Sequence, residues 1–168
     1  MSQEIFKRVS IRKFESRPVE SSKLEKILRA AMAAPSAGNQ QPWEFYVITN
    51  QAKIKELAQC SPYSGCAANA PVLIVPCVNQ SKLKFPELDE IDLAIATQNI
   101  LLEITALDLG GVWLAVAPFT DRMQKVSQIL ELDDNLNLKP FAIVALGYPA
   151  ENKTQQDRFD EAKVHYVE

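Results

Sequence analysis

Apolar residues recur along the chain in two rhythms. Leu24, Ile27, Leu28, Ala31 and Met32 fall three or four apart, which places them on one face of a helix. Ser21 or Ser22 precedes that run, and Glu25 stands three residues after Ser22, a spacing that predicts a capping box; Pro35 closes the helix. Four stretches dense in β-branched and aliphatic residues predict strands: Glu44–Thr49, Pro71–Val78, Val112–Val116 and Pro140–Leu146. The second is apolar at almost every position, as in a strand buried on both faces, although Pro76 inside it removes a ladder donor. Further helices are predicted near 3–8, 52–59, 88–109 and 121–132. The longest, Leu88–Leu109, carries apolar residues all round rather than in one stripe, so burial on most sides is expected, and Gly110-Gly111 ends it. Ser61–Asn69 reads as a small-residue loop. The resulting class is α+β, in a single domain over residues 1–168.

Composition removes several functions. A net charge of -3 and a pI near 5.3 give no reason to expect nucleic acid as a partner. The three cysteines, Cys60, Cys66 and Cys77, match no paired metal spacing and read as reduced, packed thiols. One histidine, His165, leaves no room for a catalytic triad or a histidine-rich metal site, so no metal is expected. The start, Met1-Ser2-Gln3-Glu4, has no apolar run behind a basic patch and does not read as a signal peptide. Gln98, Asn99, Glu103 and Asp108 interrupt the longest apolar stretch, whereas a membrane span needs about 20 mostly apolar residues. No membrane partner is expected, and the cytoplasm is the expected compartment. After Ala150 the chain turns polar and then ends on Val164-His165-Tyr166-Val167. Such an ending either frays or adds a strand elsewhere, which a second subunit would provide.

Three segments carry candidate chemistry. In Ala34–Trp43, Pro35 and Pro42 stiffen the ends and Gly38 permits a left-handed backbone. Ser36, Asn39, Gln40 and Gln41 supply donors and acceptors there. This suits a planar heterocycle with polar edges, or equally a polar loop capped by a core tryptophan. In Arg8-Val9-Ser10-Ile11-Arg12, extended backbone sends side chains two apart to one face at about 7 Å spacing. Two guanidiniums flanking a hydroxyl make a fork for phosphate; the plainer alternative is a solvated edge strand. In Leu107–Ala115, the glycine pair permits a sharp reversal and close approach of a ligand, or simply a helix end before a core strand.

Taken in order, these segments resemble the FMN-dependent nitroreductase family over essentially the whole chain. The markers are Arg8-x-Ser10-x-Arg12-x-Phe14, the Pro35–Trp43 loop, Leu109-Gly110-Gly111-Val112-Trp113-Leu114, Leu146–Ala150 and Asp157-Arg158-Phe159. The resemblance implies a central, mostly antiparallel sheet flanked by helices in an intertwined homodimer, with residues 151–168 as an arm on the partner subunit. It implies FMN at the subunit interface, with Arg8, Ser10 and Arg12 on its phosphate and ribityl chain. Arg158 is a further phosphate contact, replaced or assisted by Lys153. Pro35, Ser36, Ala37 and Asn39 correspond to a flavin wall supplied by the other subunit. Backbone amides around Leu114 and Ala115 would face the flavin edge, and no side chain is assigned as catalytic. The implied activity is two-electron transfer from NAD(P)H to a nitroaromatic, quinone or similar small acceptor by a ping-pong cycle. Alternatives are a non-catalytic flavin-binding or redox-sensing protein, or a reductive dehalogenase-like member. Asp108 and Ala115 stand where the family favours glycine, and Ala117 where a tyrosine often lies over the pocket.

Overall fold

A computed structural model describes residues 3–132, 135 and 137–168. Five strands form one sheet: β1 (Trp43–Ile48), β2 (Val72–Asn79), β3 (Gly110–Ala115), β4 (Leu138–Pro140) and β5 (Ala142–Gly147). Their order is β1-β2-β5-β3, with β4 paired to the far end of β2, and every strand pairing is antiparallel. The helices are α1 (Gln3–Lys7), α2 (Ser21–Met32), α3 (Gln51–Leu57), α4 (Asp89–Ala106) and α5 (Thr120–Leu130).

Strand alternation divides the core. Leu73, Val75 and Cys77 of β2 face a cluster containing Ile54 and Leu57 of α3 and Val126 of α5. Val72 and Ile74 face the opposite cluster, with Ile27 and Ala31 of α2 and Ile100 and Ile104 of α4. Every residue of β2 is buried, as its composition predicts. Pro76 is tolerated because β2 changes partner there, from β5 (through Ile74) to β4 (from Cys77). At that break the Pro76 carbonyl still accepts a bond from the Phe141 N–H at 2.9 Å. The predicted strand 140–146 is accordingly two strands with Phe141 between them.

Three local expectations are corrected. Glu20, not a serine, occupies the N-cap of α2 without a side-chain cap bond, and Glu25 instead pairs with Arg29 one turn on at 2.7 Å. The loop 61–69 contains a short 3₁₀ turn over Gly65–Asn69, anchored by buried Ser64, whose hydroxyl donates to the Ala58 carbonyl at 2.9 Å. The turn after α4 is made by Asp108, not by the glycines. Asp108 adopts φ 58°, the Leu109 N–H bonds the Ile104 carbonyl at 2.9 Å and the Asp108 N–H bonds Thr105 at 3.2 Å, a Schellman end that normally takes glycine.

α4 is covered on most sides, as its all-round apolar composition predicts, and only Ile91, Gln98 and Ala106 of its residues are exposed. Leu93, Ala96, Ile100 and Ile104 are buried in the core, while Ile91 is 55% exposed and Ile95 half-buried. Among the described residues no helix is long and apolar enough to cross a membrane, and no cluster of potential metal ligands occurs.

Candidate functional site

The segment from Arg8 to Phe14 runs beside β3. Ser10 forms a parallel bridge with Gly111, and the Ile11 N–H donates to the Gly111 carbonyl at 3.0 Å. This close approach explains the glycine pair. A Cβ on Gly110 would lie 2.7 Å from the Ile11 side chain, and one on Gly111 would lie 3.1 Å from Ile104. Ile11 and Phe14 point into the core, which leaves Arg8, Ser10 and Arg12 on the outer side.

The chain after β5 returns to this segment. One oxygen of Glu151 accepts from the backbone N–H groups of Arg12 (2.6 Å) and Lys13 (3.2 Å) and from the Lys153 ammonium (2.9 Å). The Arg12 N–H first, then Lys153 and last the Lys13 N–H, hold the Glu151 carboxyl below its usual range. Lys153 also donates to the Ser10 carbonyl at 3.3 Å. The result is a polar cleft of about 640 Å³ whose walls include Arg8, Ser10, Arg12, Lys153 and Arg158. Among the described residues, the guanidiniums of Arg8 and Arg158 have no hydrogen-bond or ion-pair partner. Four cations thus converge from opposite ends of the sequence, and one carboxylate offsets part of their charge.

The Pro35–Pro42 loop is built differently. Gly38, Asn39 and Gln41 all take left-handed φ values, 51°, 54° and 46°. Non-glycine residues in that region cost on the order of 1 kcal/mol each and need surrounding support. Support comes from Ser36, whose hydroxyl accepts from the Gln41 N–H at 3.0 Å, and from the Gln41 amide donating to Asn39 at 3.1 Å. Beneath them lies a buried pair. Asp92 of α4, 2% exposed, accepts from the Ala37 N–H (2.9 Å) and the Gln40 amide (2.7 Å). Gln40, 7% exposed, also accepts from the N–H groups of Lys84 (2.9 Å) and Phe85 (3.0 Å). Sequence reasoning offered Gln40 to a ligand, but the fold uses it as a strut. Asp92 was missed; its only trace was an acid in the first turn of an apolar helix.

Leu114 and Ala115 end β3, the first buried and the second exposed. The Ala115 carbonyl accepts from Arg122 at 3.0 Å, and that guanidinium lies 3.9 Å from the Phe119 ring centre. Ala117 packs inward with Ala34, Trp43 and Phe141 rather than over a pocket. Burial raises the thiols of Cys66 and Cys77, the latter to about 12.

Strand register fixes where these parts lie. Gly110 is opposite Gly147, Leu146 opposite Val72 and Leu73 opposite Ile48, which defines the end of the sheet holding the arginine cleft. Ala115 is opposite Ala142 at the other end, and Trp43, just after the loop, is opposite Val78. The cleft flanks edge strand β3, and the loop leads into the other edge, β1. The two therefore occupy diagonal corners, separated by the length of a strand, about 20 Å, and three strand spacings, about 14 Å. Arg8, Ser10, Arg12 and Arg158 are brought together; Pro35, Ser36, Ala37 and Asn39 form a second group; one chain does not join the two.

An antiparallel sheet flanked by helices, with an arginine-lined cleft at one edge, places the molecule among known folds. The profile described as Nitroreductase family matches residues 5–63 and 60–148. A Methanothermobacter thermautotrophicus protein provisionally named NADH dehydrogenase/NAD(P)H nitroreductase is 39% identical over 94% of this chain and 82% of its own. A Clostridium acetobutylicum structure, provisionally an NADH oxidase, superposes with a TM-score of 0.94 at 42% identity, covering 98% of this chain and 99% of that one. The FMN-dependent nitroreductase of Clostridium difficile R20291 gives 0.91 at 30% identity, covering 100% and 99%. The chain belongs to the nitroreductase family.

Proposed function

We propose that this protein is a homodimeric, cytoplasmic FMN-dependent oxidoreductase that moves two electrons from NAD(P)H to a small acceptor such as a nitroaromatic or quinone. The observation that carries the reading is the meeting of Arg8, Ser10, Arg12, Lys153 and Arg158 on one cleft. A phosphate monoester carries nearly two negative charges, and guanidiniums bind it with charge-assisted, bidentate bonds. Among the described residues Arg8 and Arg158 have no side-chain partner to surrender first, so the donor set fits the FMN phosphate.

Bound FMN supplies the redox chemistry, accepting two electrons from a reduced nicotinamide and delivering them to the acceptor. Arg8, Ser10, Arg12 and Arg158 hold the phosphate and ribityl chain, with Lys153 oriented by Glu151. The rigid loop of Pro35, Ser36, Ala37 and Asn39 forms a wall that small, polar residues keep flat. Backbone around Leu114 and Ala115 would face the flavin edge. No side chain is assigned to proton transfer, and both substrates would use the same open face in turn, which makes the cycle ping-pong.

The same geometry supports dimerisation. The loop lies at the corner diagonal to the cleft of its own chain, so a second subunit is needed to complete the site. Apolar surface is available for that contact: Phe6, Met32, Ile91 and Phe159 are exposed, as is the arm ending at Tyr166 (86%) and Val167 (97%). The free thiols suit a reducing compartment.

The test is the absorption spectrum of purified protein and the identity of the released chromophore. One FMN per chain, with parallel double-reciprocal plots for NAD(P)H and an acceptor, is the expected result. Colourless protein that takes up no added FMN would sink the proposal, and flavin without turnover would leave a binding protein.

A further inference from the structure

A second cleft, of about 610 Å³, lies beside the first and shares Arg12 with it. Its lining includes Arg12, Lys13, Lys55, Ser16 and Asn69, and it contains three cations and no carboxylate. That is an unusual concentration in a chain whose net charge is -3. Among the described residues, the ammonium groups of Lys13 and Lys55 have no ion-pair or hydrogen-bond partner. The floor is apolar, formed by Phe14, Ala68, Ala70 and Pro71. The position of the wall is fixed, because Glu151 clamps the successive N–H groups of Arg12 and Lys13. A cleft within the size range of small-molecule sites, with an apolar floor and a cationic rim, matches a planar base joined to phosphates.

We infer that this cleft receives the phosphorylated adenosine half of the reduced dinucleotide, and that its charge favours NADPH over NADH. The inference rests on the proposed activity for its biological sense, since a nicotinamide docked on the flavin must lay its adenylate tail on nearby surface. The chemistry of the cleft itself is independent of flavin. A 2′-phosphate adds almost two negative charges to the ligand, which Lys13 and Lys55 are placed to meet.

The experiment is calorimetric titration of FMN-loaded protein with 2′,5′-ADP, comparing wild type with Lys13→Glu/Lys55→Glu and with the milder Lys13→Gln/Lys55→Gln. Both side chains are exposed and have no partner among the described residues, so folding and FMN content are expected to be unchanged. The expected result is affinity lowered about tenfold or more by charge reversal and less by glutamine, as for loss of charge-assisted hydrogen bonds. KM for NADPH should rise by a similar factor at constant kcat, while KM for reduced nicotinamide mononucleotide, which lacks the adenylate, should not move. Equal binding of 2′,5′-ADP by all three proteins would overturn the inference. So would inorganic phosphate displacing it at equal concentration, since the base would then contribute nothing. An equal rise in KM for the mononucleotide would overturn it as well. Wild-type protein without FMN would end the oxidoreductase reading alone; colourless protein that binds 2′,5′-ADP through Lys13 and Lys55 would leave the cleft standing.

Discussion

The arginine cleft and the Pro35–Pro42 loop are both preorganised, by opposite means. The loop is braced from beneath: buried Asp92 of α4 accepts from the Ala37 N–H and the Gln40 amide, and three left-handed residues hold a shape the local sequence would not choose. The cleft is held from behind, by Ile11 against Gly110 and by Glu151 on two backbone amides, while the guanidiniums of Arg8 and Arg158 have no partner among the described residues. A wall for a flat ring has to be rigid and neutral. A phosphate site has to keep its charge uncommitted. Mutations should therefore separate stability from ligand affinity according to which region they touch.

The largest effect is expected at Asp92. Asp92→Ala strands the Ala37 N–H and the Gln40 amide in a buried site, a loss of about 3 kcal/mol. Denaturant unfolding should read that loss, with phosphate affinity of the cleft nearly unchanged. Gly110→Val comes next. Its side chain would collide with Ile11, costing roughly 1–3 kcal/mol and lifting the Arg8–Arg12 segment from β3, so stability and FMN retention should fall together. Arg8→Ala and Arg158→Ala should each weaken FMN about tenfold or more, by loss of a charge-assisted bond. Apo stability should stay within about 0.5 kcal/mol of wild type, as for surface residues without internal contacts. An Arg8 variant that melted as early as Asp92→Ala would erase the distinction between the regions.

A pH profile sharpens it further. The Arg12 N–H and the Lys153 ammonium hold the Glu151 carboxyl below its ordinary range, so its contribution is present above the unfolded pKa and is lost as pH falls through the folded one. Melting temperature should drop more steeply for wild type than for Glu151→Gln on acidification below about 4.5. The smallest effect is expected at Asp108. Asp108→Gly relieves a left-handed non-glycine residue and should stabilise by up to about 1 kcal/mol, with no change in FMN content.

Much of the fold was legible because period and composition report local geometry. The all-apolar run of β2 read as a doubly buried strand, and the spacing of Leu24, Ile27 and Ala31 read as one helix face. Errors arose where a partner distant in sequence supplied the decisive contact. Pro76 looked like an obstacle because the switch of β2 from β5 to β4 is invisible in the run itself. The glycines after α4 looked like a turn, but the reason for Gly110 is the side chain of Ile11, about a hundred residues earlier, and Gly111 leaves room for Ile104. The serines before α2 fitted a capping pattern, yet the helix starts from Glu20 without a side-chain bond. In the site, the spacing of Arg8, Ser10 and Arg12 exposed the phosphate fork, whereas the Asp92–Gln40 strut spans 52 residues and had no local signature.

The sequence by itself determined which residues could bind an anion, which stretches become helix or strand, and that the chain is a member of a flavin-linked family by its ordered markers. Those properties depend on neighbours a few positions apart, where backbone periodicity carries the information. Only the tertiary structure decided that Lys153 and Arg158 join Arg8 and Arg12, that the loop faces away from them, and that Arg12 divides two clefts. Those outcomes depend on strand register and sheet order, which bring together atoms more than a hundred residues apart.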